Sequence, residues 1–178
     1  LSIVREKERG TIEQINVSPL SSFEFILGKT IPYILISLIN AIIVLVAGYI
    51  LFGIVIKGNM FLLLFGTLTF LFAALGLGIF ISTVADSQQV AFQAANVTSL
   101  LPSFILSGFI FPIETMPIVI QVLTNITPAK FYIVILRAIL LRGTGISAFW
   151  SQLIYLGIFG TIFLTLAVIV DKRSRGKN

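Results

Sequence analysis

The chain has 178 residues, of which 57% are hydrophobic and only 11% charged, where soluble domains carry roughly 25% charged residues; its mean hydropathy is +1.09. The net charge is +5, with no cysteine and no histidine, which removes disulfides, thiolate metal sites and the commonest metal ligand and proton shuttle. The basic excess lies at the margins of apolar stretches, where it orients a membrane protein, so it is not read as a nucleic-acid footprint.

No Asp, Glu, Lys or Arg occurs from Thr30 to Ile56, from Gly58 to Ala85, from Ser87 to Ile113, or from Gly143 to Val170. A helix needs about 20 apolar residues to cross a bilayer. Bare backbone is not tolerated in lipid, and the apolarity is continuous rather than alternating, which excludes a barrel. The fold class expected is an all-α integral membrane protein with four transmembrane helices, a short helix at the membrane edge and short re-entrant or interfacial helices. Residues 1–30 form a cytoplasmic segment and 31–178 a transmembrane domain.

In chain order, Leu1 to Val4 read as the end of an earlier helix. With neither methionine nor a basic n-region at its start, the chain is read as a fragment or a processed chain lacking at least one upstream span. A polar stretch runs from Arg5 to Pro19. Thr11 and Gln14 have capping-box spacing, and Pro19 stops the element after about two turns. Ser21 and Glu24 make a second box before the first span. Such a short charged helix at the mouth of a membrane domain suggests a docking surface for a soluble partner; the plain alternative is a solvated connector on the headgroups. Gly28-Lys29-Thr30 imitates the end of a phosphate-binding loop. Phe23 stands where the loop's first glycine is required, so nucleotide binding is rejected there.

The first span is expected over 31–56, with Pro32 in its first turn, and Lys57-Gly58-Asn59 as a turn. The second is expected over 60–85, where Ala74, Gly78 and Ser82 form a small-residue ladder for helix packing. Asp86 and Gln89 have capping-box spacing for a third span over 90–111, which stops at Pro112. This span alone carries a polar stripe. Gln89, Gln93, Asn96, Ser99, Ser103 and Ser107 fall within an arc of about 120° at about 100° per residue. The stripe either lines a translocation path or glues helices together. Pro102 should kink the helix and free a carbonyl near Thr98.

Residues 113–148 hold two apolar pieces, each too short to cross. Thr115 is expected to cap one running from Pro117 to Asn125. Thr127, with Pro128 at the first helical position, is expected to cap a second that ends before Gly143-Thr144-Gly145. Together they read as a re-entrant or interfacial segment; a fifth crossing would put the basic tail outside. Glu114 is placed to pair with Lys130 or Arg137 and hold an outer cap closed, or else is an exposed loop carboxylate. The last span is expected over 149–170, before a polar tail. Four spans leave both ends on one side, and those ends hold eight of the twelve basic residues, so both termini are assigned to the cytoplasm of a multi-pass plasma-membrane protein.

Two motifs carry a family resemblance. The first is Glu8-Arg9-Gly10-Thr11-x-Glu13-x-Ile15-x-Val17-Ser18-Pro19, followed by Glu24, Gly28-Lys29 and Pro32-Tyr33. The second is Ser107-Gly108-Phe109-Ile110-Phe111-Pro112, followed by Met116-Pro117 and Pro128. In this order and spacing the chain resembles the type-2 permease family of ATP-binding-cassette exporters over essentially its whole length. The resemblance implies six spans with an external domain between the first two, so this chain would hold the third to sixth. It implies that residues 11–18 are the coupling helix seated in a groove of an ABC ATPase subunit, with Gly10, Thr11, Glu13, Gln14, Ser18 and Pro19 as coupling residues. It implies a homodimer or heterodimer of permeases whose central cavity is bordered by Gln93, Asn96, Ser99, Ser103 and Ser107. Phe111, Pro112 and Glu114, at the outer end of the third span, are the outer-gate candidates. ATP and Mg²⁺ would belong to the partner ATPase, leaving no cofactor, metal or catalytic residue in this chain.

The function expected is therefore the permease subunit of an ATP-driven exporter, with membrane lipid and an ATPase as partners. The alternative is a secondary transporter driven by an ion gradient, which usually needs an intramembrane carboxylate or a broken-helix ion site. An intramembrane enzyme lacks its usual nucleophile, base and metal sets in this composition.

Overall fold

The computed structural model describes residues 2–11 and 21–175, the side chains of 174 and 175 excepted. Among the described residues the chain is helical with no strand. Helix α1 spans Ser2–Glu8, α2 Ser22–Phe52, α3 Met60–Val84 and α4 Gln88–Ala95. A π-helical turn, Asn96–Leu100, joins α4 to α5, Leu101–Ile105. Helix α6, Ile118–Leu123, runs through a 3₁₀ turn to α7, Pro128–Leu136, and a second π-helical turn covers Arg137–Arg142. Helix α8 spans Trp150–Arg175.

Helices α2, α3 and α8 are long and apolar enough to cross a membrane. The pieces Ile118–Ile126 and Pro128–Arg142 pass the same test only as a pair, and they meet at a bend of 86°. Threonines inside the long helices need no outside partner. Thr30, Thr67, Thr69, Thr83, Thr161 and Thr165 each donate to the carbonyl four residues earlier, which keeps their hydroxyls satisfied in an apolar setting.

Helix α3 is the central strut. Its Leu63 and Ala73 join Ile135, Ala138 and Ile139 of the α7 arm and Phe149, Leu153 and Leu156 around α8 in one core cluster. Toward the other end, Ile79 packs with Ile3, Phe25, Ile26 and Ala167. The close approach of α3 to α8 uses glycine against glycine. A Cβ on Gly76 would lie 3.0 Å from the Gly160 carbonyl, and one on Gly160 would lie 2.3 Å from the Phe72 ring and 3.1 Å from the Ala73 Cα. The small-residue ladder expected on Ala74, Gly78 and Ser82 is therefore rotated away from this contact. Gly78 has open space where its Cβ would be, and it lines a cleft with Leu75, Ser82 and Ala91.

Several boundaries differ from the sequence reading. Helix α2 starts at the Ser21–Glu24 capping box, which is present in both directions, so Pro32 lies well inside the helix rather than in its first turn. It ends at Phe52 with Gly53 as a left-handed cap, not at Ile56. Helix α4 is capped by Ser87, whose hydroxyl accepts from the Val90 N–H, not by Asp86. The third apolar stretch is helical only to Ile105, then turns. Thr115 donates to the Pro112 carbonyl at 2.7 Å instead of capping a helix, and α6 begins after Pro117. Thr127 does precede Pro128 at the start of α7, without a side-chain cap bond.

Candidate functional site

The polar residues gather at the two ends of the bundle. At one end, α1 is tied to three other helices. The buried Val4 N–H donates to Ser82 Oγ at 3.1 Å. Lys7 Nζ donates to the Thr83 carbonyl, one of the terminal carbonyls of α3 that has no partner inside its own helix and attracts a cation. Glu8 accepts from the Gln88 backbone N–H at 2.7 Å and from the Gln88 amide. This places a carboxylate on the free N–H groups that open α4. The Gln88 backbone N–H, and then its side-chain amide, hold the Glu8 carboxyl below its ordinary pKa. Glu6 forms an ion pair with Lys29 of α2; its second oxygen, Oε2, is buried with no hydrogen-bond partner among the described residues.

In sequence these residues read as the charged preface of a docking helix. The structure adds that α1 grips the ends of α2, α3 and α4 at once. Nothing in local sequence marks this, because the partners lie 23 to 80 positions away. Of the coupling residues, Gly10 has φ +71 in the turn that ends α1, and the Thr11 hydroxyl donates to the Glu6 carbonyl at 3.3 Å. Glu13, Gln14, Ser18 and Pro19 lie outside the described residues.

The polar stripe runs along α4, the first π-helical turn and α5. Gln93 and Ser99 are exposed, Asn96 and Ser103 half-buried, and Ser107 buried. Ser99 donates to the Ala95 carbonyl at 2.6 Å, and the Ser107 hydroxyl accepts from the Phe109 N–H at 3.3 Å. Pro102 explains the π-helical turn before it. Proline has no N–H and its ring crowds the preceding turn. The chain responds by widening: the Leu101 N–H bonds to the Asn96 carbonyl, five residues back. This extra residue per turn rotates Ser103 and Ser107 away from the regular α register that aligned them with Gln93 and Asn96. The structure thus divides the stripe into an amide part and a serine part.

At the opposite end, the outer-gate residues Phe111, Pro112 and Glu114 are all exposed, with Glu114 in a 3₁₀ turn over Ile113–Thr115. Glu114 meets neither of its expected partners. Lys130 donates to Thr124 Oγ1 at 2.8 Å and to Asn125 Oδ1 at 2.7 Å. Arg137 donates to the Gly108 carbonyl at 3.0 Å. Both cations thus bind neutral oxygens nearer to them. Gly108 has φ +76, a conformation that glycine reaches without strain, and this turn presents its carbonyl to Arg137. Gly143 plays a comparable part at the end of the second π-helical turn. It has φ +63, and a Cβ there would lie 3.1 Å from the Lys57 carbonyl, so the α2–α3 turn rests directly on the α7 arm. Gly58 leans on the same arm, where a Cβ would lie 2.8 Å from the Ile139 carbonyl. The Arg137–Gly108 contact is not evident in the sequence, which offers Glu114 as the partner of Arg137; Gly143 ends its helix where the sequence places the stop.

A family model described as "ABC-2 family transporter protein" matches residues 1–169. The chain is 32% identical over 173 residues, 97% of its length, to the probable multidrug ABC transporter permease YbhS of Escherichia coli (strain K12), covering 46% of that protein. It is 32% identical over 179 residues, 98% of its length, to the inner membrane transport permease YhhJ of the same organism, covering 47% of it. It is 24% identical over 179 residues to ABC transporter G family member 20 of Dictyostelium discoideum, covering 24% of that protein. The chain spans about half the length of the bacterial relatives it matches. No solved structure matches it.

Proposed function

This chain belongs to the ABC-2 transporter family, and on that premise we propose that it serves in the permease of an exporter driven by ATP hydrolysed on a partner ATPase. It is a multi-pass membrane protein, with three helices long and apolar enough to cross and a fourth possible in the bent pair. In the proposed arrangement the stretch 90–111 makes the fourth crossing and the bent pair makes none, so that both termini face the cytoplasm and residues 113–148 enter and leave on the outer side. Two permease copies, identical or different, enclose the path. ATP and Mg²⁺ are held by the ATPase.

The observation that carries the proposal is the attachment of α1. The segment after Gly10 is the one expected to dock on the ATPase, and α1 immediately before it is fastened to α2, α3 and α4 by Lys29, Ser82, Thr83 and Gln88. A displacement of that segment therefore reaches three helices together rather than bending one. The amide part of the stripe, Gln93 and Asn96, lies on α4 and the turn directly after it, on the same helix that Gln88 ties to α1. Transport then follows from a shift of the helix set between inward and outward access, with ATP binding favouring one state by its differential affinity.

The test is to purify the full-length permease with its ATPase and place it in sealed vesicles. Substrate movement should require ATP and Mg²⁺ and persist with ion gradients collapsed. Movement driven by an ion gradient without ATP would replace the proposal with a secondary transporter.

A further inference from the structure

A cavity of about 650 Å³ lies between α2, α3 and α7, within the range of pockets that hold drug-sized molecules. No charged residue lines it. Its polar groups are Ser37 and Asn40 of α2, Thr67 of α3 and Tyr132 of α7. Helix α2 joins the core through Phe25 and Ile26 near its start, and no residue of its most apolar window is buried. The cavity occupies the space this leaves beside α3.

The polar wall is built rather than incidental. The Tyr132 ring stacks on Phe70, with centroids 4.3 Å apart and planes 8° from parallel. Its hydroxyl lies 2.9 Å from Thr67 Oγ1. Thr67 has a single proton and gives it to the Leu63 carbonyl at 2.8 Å, so Tyr132 donates and Thr67 accepts. The phenolic oxygen keeps its acceptor capacity. Asn40 makes no hydrogen bond among the described residues, although its amide offers both donors and an acceptor. Asn40 lies twelve residues before the helix ends at Phe52, about 18 Å along the axis at 1.5 Å per residue. In a hydrocarbon core about 30 Å thick this is near the middle, where a free amide is costly unless something matches it.

We propose that this cavity is a binding site for an uncharged, largely apolar molecule with one hydrogen-bonding head, such as a hydroxyl, entering from the hydrocarbon region of the bilayer. A phospholipid headgroup cannot reach this depth, and a bare acyl chain has nothing to offer Asn40 or Tyr132. A cation would find no carboxylate in the lining. The site goes beyond the proposed ATP-driven function and does not depend on it, since binding is read without ATP.

The experiment uses the full-length permease with its ATPase in lipid nanodiscs and a hexadecanol carrying a diazirine in its chain. Photolabelling should be saturable, map to α2 around Asn40 and to α3 around Phe70, and be competed by plain hexadecanol but not by hexadecylamine. Asn40→Leu should raise the half-saturating concentration about three- to tenfold, the span of one net hydrogen bond. Ala47→Phe should fill the cavity and abolish saturable labelling while the melting temperature of the assembly stays unchanged. If Asn40→Leu does not assemble, the competition pattern and Ala47→Phe decide the matter. Labelling that does not saturate, or spreads evenly along α2, overturns the proposal. So does competition by the amine equal to that of the alcohol, indifference to Ala47→Phe, or efficient cross-linking of Asn40→Cys to another helix of the assembled transporter.

Discussion

The contact between α3 and α8 gives the sharpest quantitative expectation. Gly160 faces Phe72 and Ala73 so closely that a methyl group there would sit 2.3 Å from a ring carbon and 3.1 Å from a backbone Cα. The ring can turn aside; the Ala73 backbone is held by its helix and by the core cluster. Gly160→Ala should therefore force the two helices apart, at an overpacking cost of about 1–3 kcal/mol. Glycine to alanine in a helix also gains about 0.5–1 kcal/mol of intrinsic propensity, which would partly mask the effect. Gly157, one turn earlier on α8, has nothing within 4 Å of the place its Cβ would take. Gly157→Ala shares the propensity gain without the clash, so the difference between the two variants isolates the contact. Reversible unfolding in mixed micelles, followed by Trp150 fluorescence, should place Gly160→Ala below Gly157→Ala by about 1–3 kcal/mol. Equal stability of the two variants would refute the claim that this glycine sets the α3–α8 approach.

The Glu8 carboxyl is held below its ordinary value of 4.5 by the Gln88 N–H groups; stability from this contact is thus present above pH 4.5 and lost as the pH falls through the lower folded-state value. The hydrogen-exchange protection factor at the start of α4, taken relative to the intrinsic rate at each pH, should fall on acidification in the wild type, and Glu8→Gln should flatten that dependence. Replacing Asn96 by Leu should change transport rate or substrate range with dimer fraction intact if the amides line a path; a helix-gluing role, at about 0.6 kcal/mol per bond on average, should weaken assembly first, with Thr98→Leu as the control. Single cysteines at Asn59 and Gly143 should react with an impermeant reagent added outside intact cells and one at Lys172 should not; external labelling at 172 would establish a further crossing through residues 113–148.

The long helices are legible because the absence of charge over a whole bilayer's thickness is a one-dimensional signal. The Ser21–Glu24 box is legible for the same reason, since a cap is decided within four residues. The α1 attachment is not, because Val4 and Ser82 are brought together only when α1 packs on α3. The packing face of α3 is easily misjudged because Ala74, Gly78 and Ser82 make the regular small-residue ladder, whereas Gly76 stands between Phe72 and Phe80 at the same spacing; the position of Gly160 on α8 decides that Gly76 meets it. Asp86 and Ser87 are both good caps, and adjacency in sequence does not choose between them. The π-helical turn before Pro102 can be anticipated only as a kink, since a missing N–H reveals that the ladder breaks and not how it repairs itself. The expected Glu114 pairing fails because Lys130 and Arg137 each find a neutral oxygen closer at hand. The cavity at Asn40 depends on the spacing of three helices, which no single segment encodes.

In the proposed mechanism ATP-driven motion enters this chain through residues 11–18 and is passed on by α1. The most direct measurement is ATP hydrolysis and substrate transport on the same proteoliposomes, for the wild-type assembly and for Glu13→Arg. Glu13→Arg should insert and assemble normally, retain ATP hydrolysis, and lose most of the transport obtained per ATP. Unchanged transport per ATP in Glu13→Arg, with the ATPase still co-purifying as in the wild type, would contradict the mechanism.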